Sequence, residues 1–288
     1  MSSMPNRPNH SVPPNADAVL KNIVIPSCPA VLSQLRTEMA QDDPDTGKVA
    51  RMVGTDVALS LAVLRTINSP YYGLRRQVDD IRQAVAMIGI RQVSMLVTSI
   101  LMRQSLNSNG LKLVRFWDVS NKRSLGLAKL AKGLRGVEVH LAQSFGLFCD
   151  IGIPLLMQRF PDYGMTLKLA NDAPEGVFTD VEREHHGADH AHIGAIMARS
   201  WGLADTLCLA IRHHHDYSAL MDSTVPAEVV RLMAFNLLVE LAIQSHGDLN
   251  VGNEWNKGGE YAMSALMLSD SDVEDWVEDL AADFSAQE

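Results

Sequence analysis

Apolar residues return every three to four positions along most of this chain, and no segment shows the strict apolar–polar alternation of a half-buried strand. The pattern predicts an all-α protein. Short amphipathic segments at 29–39 and 46–53 come first, the second opened by Asp43-Pro44-Asp45-Thr46, which offers N-cap oxygens and turn chemistry. A helix over 56–67 follows, with Val57, Leu61 and Leu64 spaced three to four apart. Asn68-Ser69-Pro70 stops it, because proline lacks the amide donor and disfavours helix at the residue before it. Asp79 or Asp80 caps a helix carrying Ile81, Val85 and Ile88 on one face, Gly89 closes it, and a strongly apolar helix runs over 93–106.

A polar, glycine-containing break at 107–110 separates two helical lobes. In the second, helices over 116–134 and on through Phe148 lead to Cys149-Asp150-Ile151-Gly152, with Pro154 soon after. The expected organisation is a flexible tail over 1–16, a two-lobed helical domain over 17–245 (lobes 17–107 and 111–245), and a C-terminal extension over 246–288. In that extension Val273, Trp276, Val277, Leu280 and Phe284 recur at helical spacing, so an acidic amphipathic helix is expected, docked on its own domain in the leading reading and on a partner in the other. Residues 79–99 have the outline of a DNA-reading helix-turn-helix, but the second helix continues Val93-Ser94-Met95-Leu96-Val97, too apolar to lie in a groove. A structural hairpin is the better reading.

Composition narrows the setting. With 288 residues and 47% hydrophobic content the chain can bury a substantial core. No apolar run approaches the roughly 20 residues that cross a bilayer, and residues 1–16 carry no signal-like stretch, so a cytoplasmic protein without a membrane partner is expected. Of the net charge of −9, eight acidic residues fall in 270–288, which holds no Lys or Arg; the remaining body is nearly neutral and does not suit nucleic acid. Cys28, Cys149 and Cys208, odd in number and set among apolar neighbours, read as buried reduced thiols. Met87, Met95, Met102 and Met197 read as core filling, and Tyr71 and Tyr72 as wedges beside a permissive turn at Gly73.

Seven of the ten histidines lie between His185 and His215. Helical geometry sorts them: over 189–200, His190 shares a face with Ile193 and Met197 while His192 points toward Arg199, and over 203–215 the stripe of Leu203, Leu207 and Ile211 runs onto His214 and His215, leaving His213 aside. His185 and His186, beside Glu182 and Glu184, read as a solvated helix end without a role.

Several ordered motifs resemble the HDOD family, bacterial signalling modules related to HD-type metal-dependent phosphohydrolases. They are Ile25-Pro26-Ser27-Cys28-Pro29, Asn68-Ser69-Pro70-Tyr71-Tyr72-Gly73-Leu74, Gln83-Ala84-Val85-Ala86-Met87-Ile88-Gly89, Phe116-Trp117, Gly146-Leu147-Phe148-Cys149-Asp150-Ile151-Gly152, Asp189-His190-Ala191-His192, Trp201-Gly202-Leu203 and Arg212-His213-His214-His215. The resemblance spans roughly 18–245 and implies a two-lobed helical fold, an N-terminal bundle on a degenerate HD-type domain. It also implies where metal ligands would stand. The first histidine is replaced by Val119, the histidine of the His-Asp pair by Cys149, and the late aspartate by Asn236, so of that set Asp150 alone is kept. His190, His214 and His215 match the extra histidines of two-metal relatives.

Two readings of Asp150, His190, His214 and His215 stay open. In the leading one they are a vestigial site whose groups hydrogen-bond one another, with no cofactor; in the other they hold one divalent transition metal. Cys149 reads as an inert buried thiol. For the whole chain, the leading function is a non-catalytic signal-transduction or scaffold domain that binds a signalling partner or a small nucleotide ligand. The alternative is a metal-dependent phosphohydrolase acting on a nucleotide or cyclic dinucleotide through a rearranged His/Asp site. No phosphate loop or nucleophile motif supplies a third reading.

Overall fold

A computed structural model describes residues 22–69, 72–107, 113–246 and 252–286. The expected tail over 1–16, Pro70, Tyr71 and most of the break at 107–110 lie outside the described residues. Among the described residues every regular element is helical. Helices α1 (Ala30–Met39), α2 (Thr46–Gly54), α3 (Val57–Ile67), α4 (Ile81–Ile88) and α5 (Ile90–Asn107) pack mainly on one another. Aspartates fix three of these starts: Asp45, Asp56 and Asp80 each accept the backbone N–H three residues on, from Lys48, Leu59 and Gln83. Each such cap contributes about 1 kcal/mol.

The second part holds α6 (Val114–Leu134), α7 (Val139–Phe148), α8 (Gly152–Arg159), α9 (Tyr163–Asp172), α10 (Phe178–His186), α11 (His190–Ser200), α12 (Asp205–His213), a 3-10 turn (Tyr217–Met221), α13 (Ala227–His246), α14 (Glu254–Leu266) and α15 (Asp270–Ser285). Helix α13 is its centre: Val229, Leu232, Phe235, Leu238 and Ala242 are all buried, and α6, α14 and α15 pack against it. A helix apolar all round belongs in a core rather than on a face. One contiguous hydrophobic core joins the two parts, running from Ile23 to Phe284.

The acidic C-terminal helix docks on its own protein. Val273, Leu280 and Phe284 are buried, and Lys129 on α6 pairs with Asp283 at 2.8 Å. Gly133 makes room for the Trp276 ring, which lies where a Cβ would stand.

Four expectations are corrected. Helix α3 turns Leu59, Val63 and Ile67 inward and leaves Val57 and Leu61 exposed, because it is apolar on every side and spacing alone cannot select a face. Met87 is exposed on the short α4, and Cys28 is half-buried where a buried thiol was expected. The stretch Val139–Arg159 is long and apolar enough to cross a membrane by length and composition; it is two helices joined by a turn, mostly buried inside the fold.

Candidate metal centre

Asp150 sits in the turn between α7 and α8, His190 opens α11, and His214 and His215 follow the last turn of α12. Two glycines bring these pieces together. A Cβ on Gly146 would stand 2.6 Å from the Ser124 backbone, so only glycine lets α7 cross α6 beside Arg123. A Cβ on Gly152 would stand 2.1 Å from the His190 carbonyl oxygen, so only glycine lets α8 start against α11. Asp189 then caps α11 by accepting from the His192 amide, which fixes His190 at the first helical position, facing Asp150.

One ligating atom from each of Asp150, His190, His214 and His215 lies within 4.8 Å of the others. Three of these atoms form a near-equilateral triangle. His190 Nε2 and His214 Nε2 are 3.2 Å apart, Asp150 Oδ1 is 3.2 Å from His214 Nε2, and it is 3.5 Å from His190 Nε2. Nitrogen and oxygen ligands roughly 2.0–2.1 Å from a tetrahedral zinc stand about 3.3 Å apart. The donor set and its spacing therefore fit one small divalent ion, with Asp150, His190 and His214 at ligand spacing and His215 within 4.8 Å of them as the fourth group.

The ring orientations suit the same chemistry. His190 Nδ1–H donates to both Glu182 oxygens at 2.8 and 2.9 Å, His214 Nδ1–H donates to the Ile211 carbonyl at 2.7 Å, and His215 Nδ1–H donates to Glu254 Oε2 at 2.8 Å. All three partners accept only, so each Nδ1 carries the proton and each Nε2 is the nitrogen free to bind. Such outer partners orient a ligand ring and raise its basicity. Tyr163 O–H donates to Glu182, and Tyr217 O–H and Lys257 donate to Glu254.

Electrostatics follow from this crowding. Burial alone would lower the His190 pKa, but the Glu182 charge and the hydrogen bond to Asp150 outweigh it and raise it to about 10. Burial and the neighbouring His214 push His215 down to about 4. Burial opposes ionisation of Glu254, yet its hydrogen bond from His215 and those from Tyr217 and Lys257 bring it to about 2. Without an ion, the pair of facing Nε2 atoms is thus bridged at neutral pH by a proton on His190.

The opposite side of Asp150 is filled by Arg123. Burial opposes ionisation of Asp150, but the Arg123 guanidinium and the hydrogen bond from His190 hold its carboxyl well below the usual range. Arg123 Nη1 donates to Asp150 Oδ2 at 2.7 Å and to Cys149 Sγ at 3.2 Å, and Nη2 reaches Glu240 Oε2 at 3.2 Å. Of the three positions where the sequence resemblance puts replaced ligands, Cys149 touches this cation. Cys149 is a neutral thiol, pushed well up by burial against the pull of Arg123; Asn236 Oδ1 is 4.0 Å from its sulfur; Val119 packs against the core one helical turn before Arg123.

The structure brings the four expected groups close together, held by residues that sequence reasoning missed. Glu182 and His186, expected in solvent, are buried: Glu182 orients His190, and His186 stacks on Phe160 and bonds Thr166 at 2.7 Å. Glu182 lies eight residues before His190, on the preceding helix, and its spacing to Phe178 and His186 was the available signal. Glu254 had none, since it comes from beyond the lobe that carries the histidines. His185, His192 and His213 stay outside the cluster, each more exposed than His190 and His214.

Residues 25–217 match the HDOD domain. The fold is similar to that of an HDOD domain protein with unknown function from Geobacter sulfurreducens (TM-score 0.70, 18% identity, 94% of each chain covered). It is also similar to a candidate phosphohydrolase from Shewanella amazonensis (TM-score 0.69, 22% identity, 93% of this chain and 92% of that one). A candidate signal transduction protein from Marinobacter aquaeolei gives a TM-score of 0.74 at 18% identity, over 97% of this chain and 66% of that one. A Treponema pallidum protein named only as uncharacterized is 26% identical over 202 residues, and the match spans 38% of its length. At these identities the solved structures speak for the fold alone. With two thirds of its length matched by the domain, the chain belongs to the HDOD family.

Proposed function

We propose that this chain is a non-catalytic signal-transduction or scaffold domain that acts by binding a partner protein or a small nucleotide ligand, and that its His/Asp cluster holds a single divalent transition metal as a structural tie. The observation that carries this reading is the Arg123–Asp150 ion pair. In a two-metal phosphohydrolase the two ions clamp the attacking and leaving oxygens, and a carboxylate shared between the ions holds them side by side. Here Oδ2 of the one retained carboxylate belongs to a guanidinium, and a fixed positive charge stands beside it. An ion held by Asp150, His190, His214 and His215 would have four protein ligands, the closed arrangement of structural rather than catalytic sites. Bound there, it would supply a cross-link between the α7–α8 turn, α11 and the end of α12.

The metal-dependent phosphohydrolase reading is favoured by one feature, the match of the Nε2–Nε2–Oδ1 triangle to a metal's ligand spacing. Turnover decides between the two. Protein loaded with zinc, manganese or cobalt is assayed against nucleotides, cyclic dinucleotides and an activated phosphodiester, beside His214→Ala. The signalling reading expects no hydrolysis above that of the variant. Metal-dependent turnover lost in His214→Ala overturns it.

A further inference from the structure

A groove of about 400 Å³ opens on the seam between the two parts of the fold, where α1 and α5 meet α7 and the 201–204 link into α12. Small-molecule pockets run to roughly 300–1,000 Å³. The ionisable side chains that line it, Arg36, Arg91 and His140, are all basic, and no carboxylate lines it. Glu138 reaches His140 Nε2 only at 3.8 Å, with its own side chain 72% exposed. Neutral acceptors hold both guanidiniums in place: Arg36 crosses the seam to donate from Nη1 to the Trp201 carbonyl at 2.9 Å, and Arg91 donates from Nη1 to His140 Nε2 at 3.1 Å. Among the described residues neither arginine pairs with a carboxylate, and both are exposed, so further N–H donors remain on each for an anion. The fold makes room for the first of them. Gly202 has φ +69°, and a Cβ there would stand 1.4 Å from Arg36 Nη1. Arg91 and His140 stand in the first turns of α5 and α7, so an anion beside them also meets the positive ends of two helix dipoles. The other walls are mainly aliphatic, with Met39, Met95, Leu141 and Leu203 all half-buried. Trp201 is 3% exposed and its indole N–H is donated to the Pro26 carbonyl, so it offers no stacking platform for a base.

We infer that this groove binds a small amphiphile with an anionic head and an aliphatic tail, of the alkyl carboxylate or alkyl phosphate type, with Arg36 and Arg91 donating to the head and the methionine and leucine side chains covering the tail. The planar fork of arginine suits either head group. Methionine side chains adapt to the shape of an unbranched chain. An occupant bridges α1 and α5 of the first part to α7 and the link into α12 of the second, so its binding is coupled to how the two parts hold together. The groove shares no residue with the His/Asp cluster, and the inference stands or falls separately from the proposed function.

NMR of the full chain labelled at its methionine methyls, titrated with octanoate, decanoate, decyl phosphate and 1-decanol below the concentrations at which they aggregate, tests it. The Met39 and Met95 methyl resonances, assigned with Met39→Leu and Met95→Leu, are expected to shift saturably with decanoate, decyl phosphate or both, and which of the two binds identifies the head group. For the head that binds, the ten-carbon chain is expected to bind roughly tenfold more tightly than its eight-carbon homologue, the effect of two more buried methylenes. Arg36→Gln and Arg91→Gln change exposed side chains; each is expected to keep the wild-type fold and to weaken the anion by roughly tenfold or more, the loss of a charge-assisted hydrogen bond, while leaving the weaker binding of 1-decanol unchanged. Failure of both anionic amphiphiles to bind overturns the inference, and so does an affinity that ignores chain length or survives both substitutions. A synthetic peptide of residues 270–286 serves as the last probe: methyl shifts with this acidic helix and with neither amphiphile would give the groove to a partner protein and overturn the inference as well.

Discussion

Arg123 and Asp150 form an ion pair at 2.7 Å with the guanidinium almost fully buried, and this pair divides the region into a half that keeps imidazoles and a half closed by a protein cation. Removing Arg123 strands the Asp150 and Glu240 carboxylates without their counter-charge. Arg123→Met is expected to destabilise the fold by about 3–5 kcal/mol, the usual cost of breaking a buried pair by deleting one partner. Urea unfolding followed by circular dichroism measures it; a loss below about 1 kcal/mol would show that the pair does not hold the α6–α7–α13 junction together.

Glu182 reaches the cluster only through His190. Glu182→Gln keeps its size while removing the charge that orients and basifies the ring, so zinc or cobalt affinity is expected to fall about 10–100-fold. Competition against a chromophoric chelator gives the ratio. An unchanged affinity would mean that His190 is not a ligand.

The metal-free protein carries two opposed histidine effects. His190, raised to about 10, binds a proton more tightly when folded; its stabilisation is full below about pH 6.5 and is lost as pH rises toward 10. His215, lowered to about 4, is disfavoured as a cation in the fold; its stabilisation is present above about pH 6.5 and is lost as pH falls toward 4. Together they place the greatest stability of the chelated protein near pH 6.5. Thermal melts in EDTA across pH 4–10 check this, and a monotonic rise across that range would contradict it. Since an ion must displace the His190 proton, binding at pH 7.5 is expected to release about one proton. Calorimetry in buffers of different ionisation enthalpy reads that number.

The C-terminal helix is part of the fold rather than an appendage. Phe284 is fully buried against α13, so Phe284→Ala is expected to cost about 3–5 kcal/mol. An unchanged unfolding midpoint would show that the helix docks without contributing.

Much of this was legible from local chemistry. The N-cap aspartates, the helical periods and the choice of His190 and His214 over His192 and His213 each depend on residues within one or two turns of one another. The face of α3 was not legible, because apolar residues surround that helix and its partners lie on other helices. Nor were Arg123 and Glu254. Arg123 stands four residues after Val119, where the helix returns to the same side, but nothing nearby in sequence tells a buried arginine from a solvated one. Glu254 meets His215 only because α14 folds back along α13.

The central claim is that Arg123 leaves room for one ion and no more. Purified, chelator-stripped protein dialysed against buffered zinc or manganese and analysed for metal per chain measures this directly. The account predicts one ion per wild-type chain and none in His214→Ala that remains folded. Two ions per chain, or none in a folded wild-type protein, would contradict it.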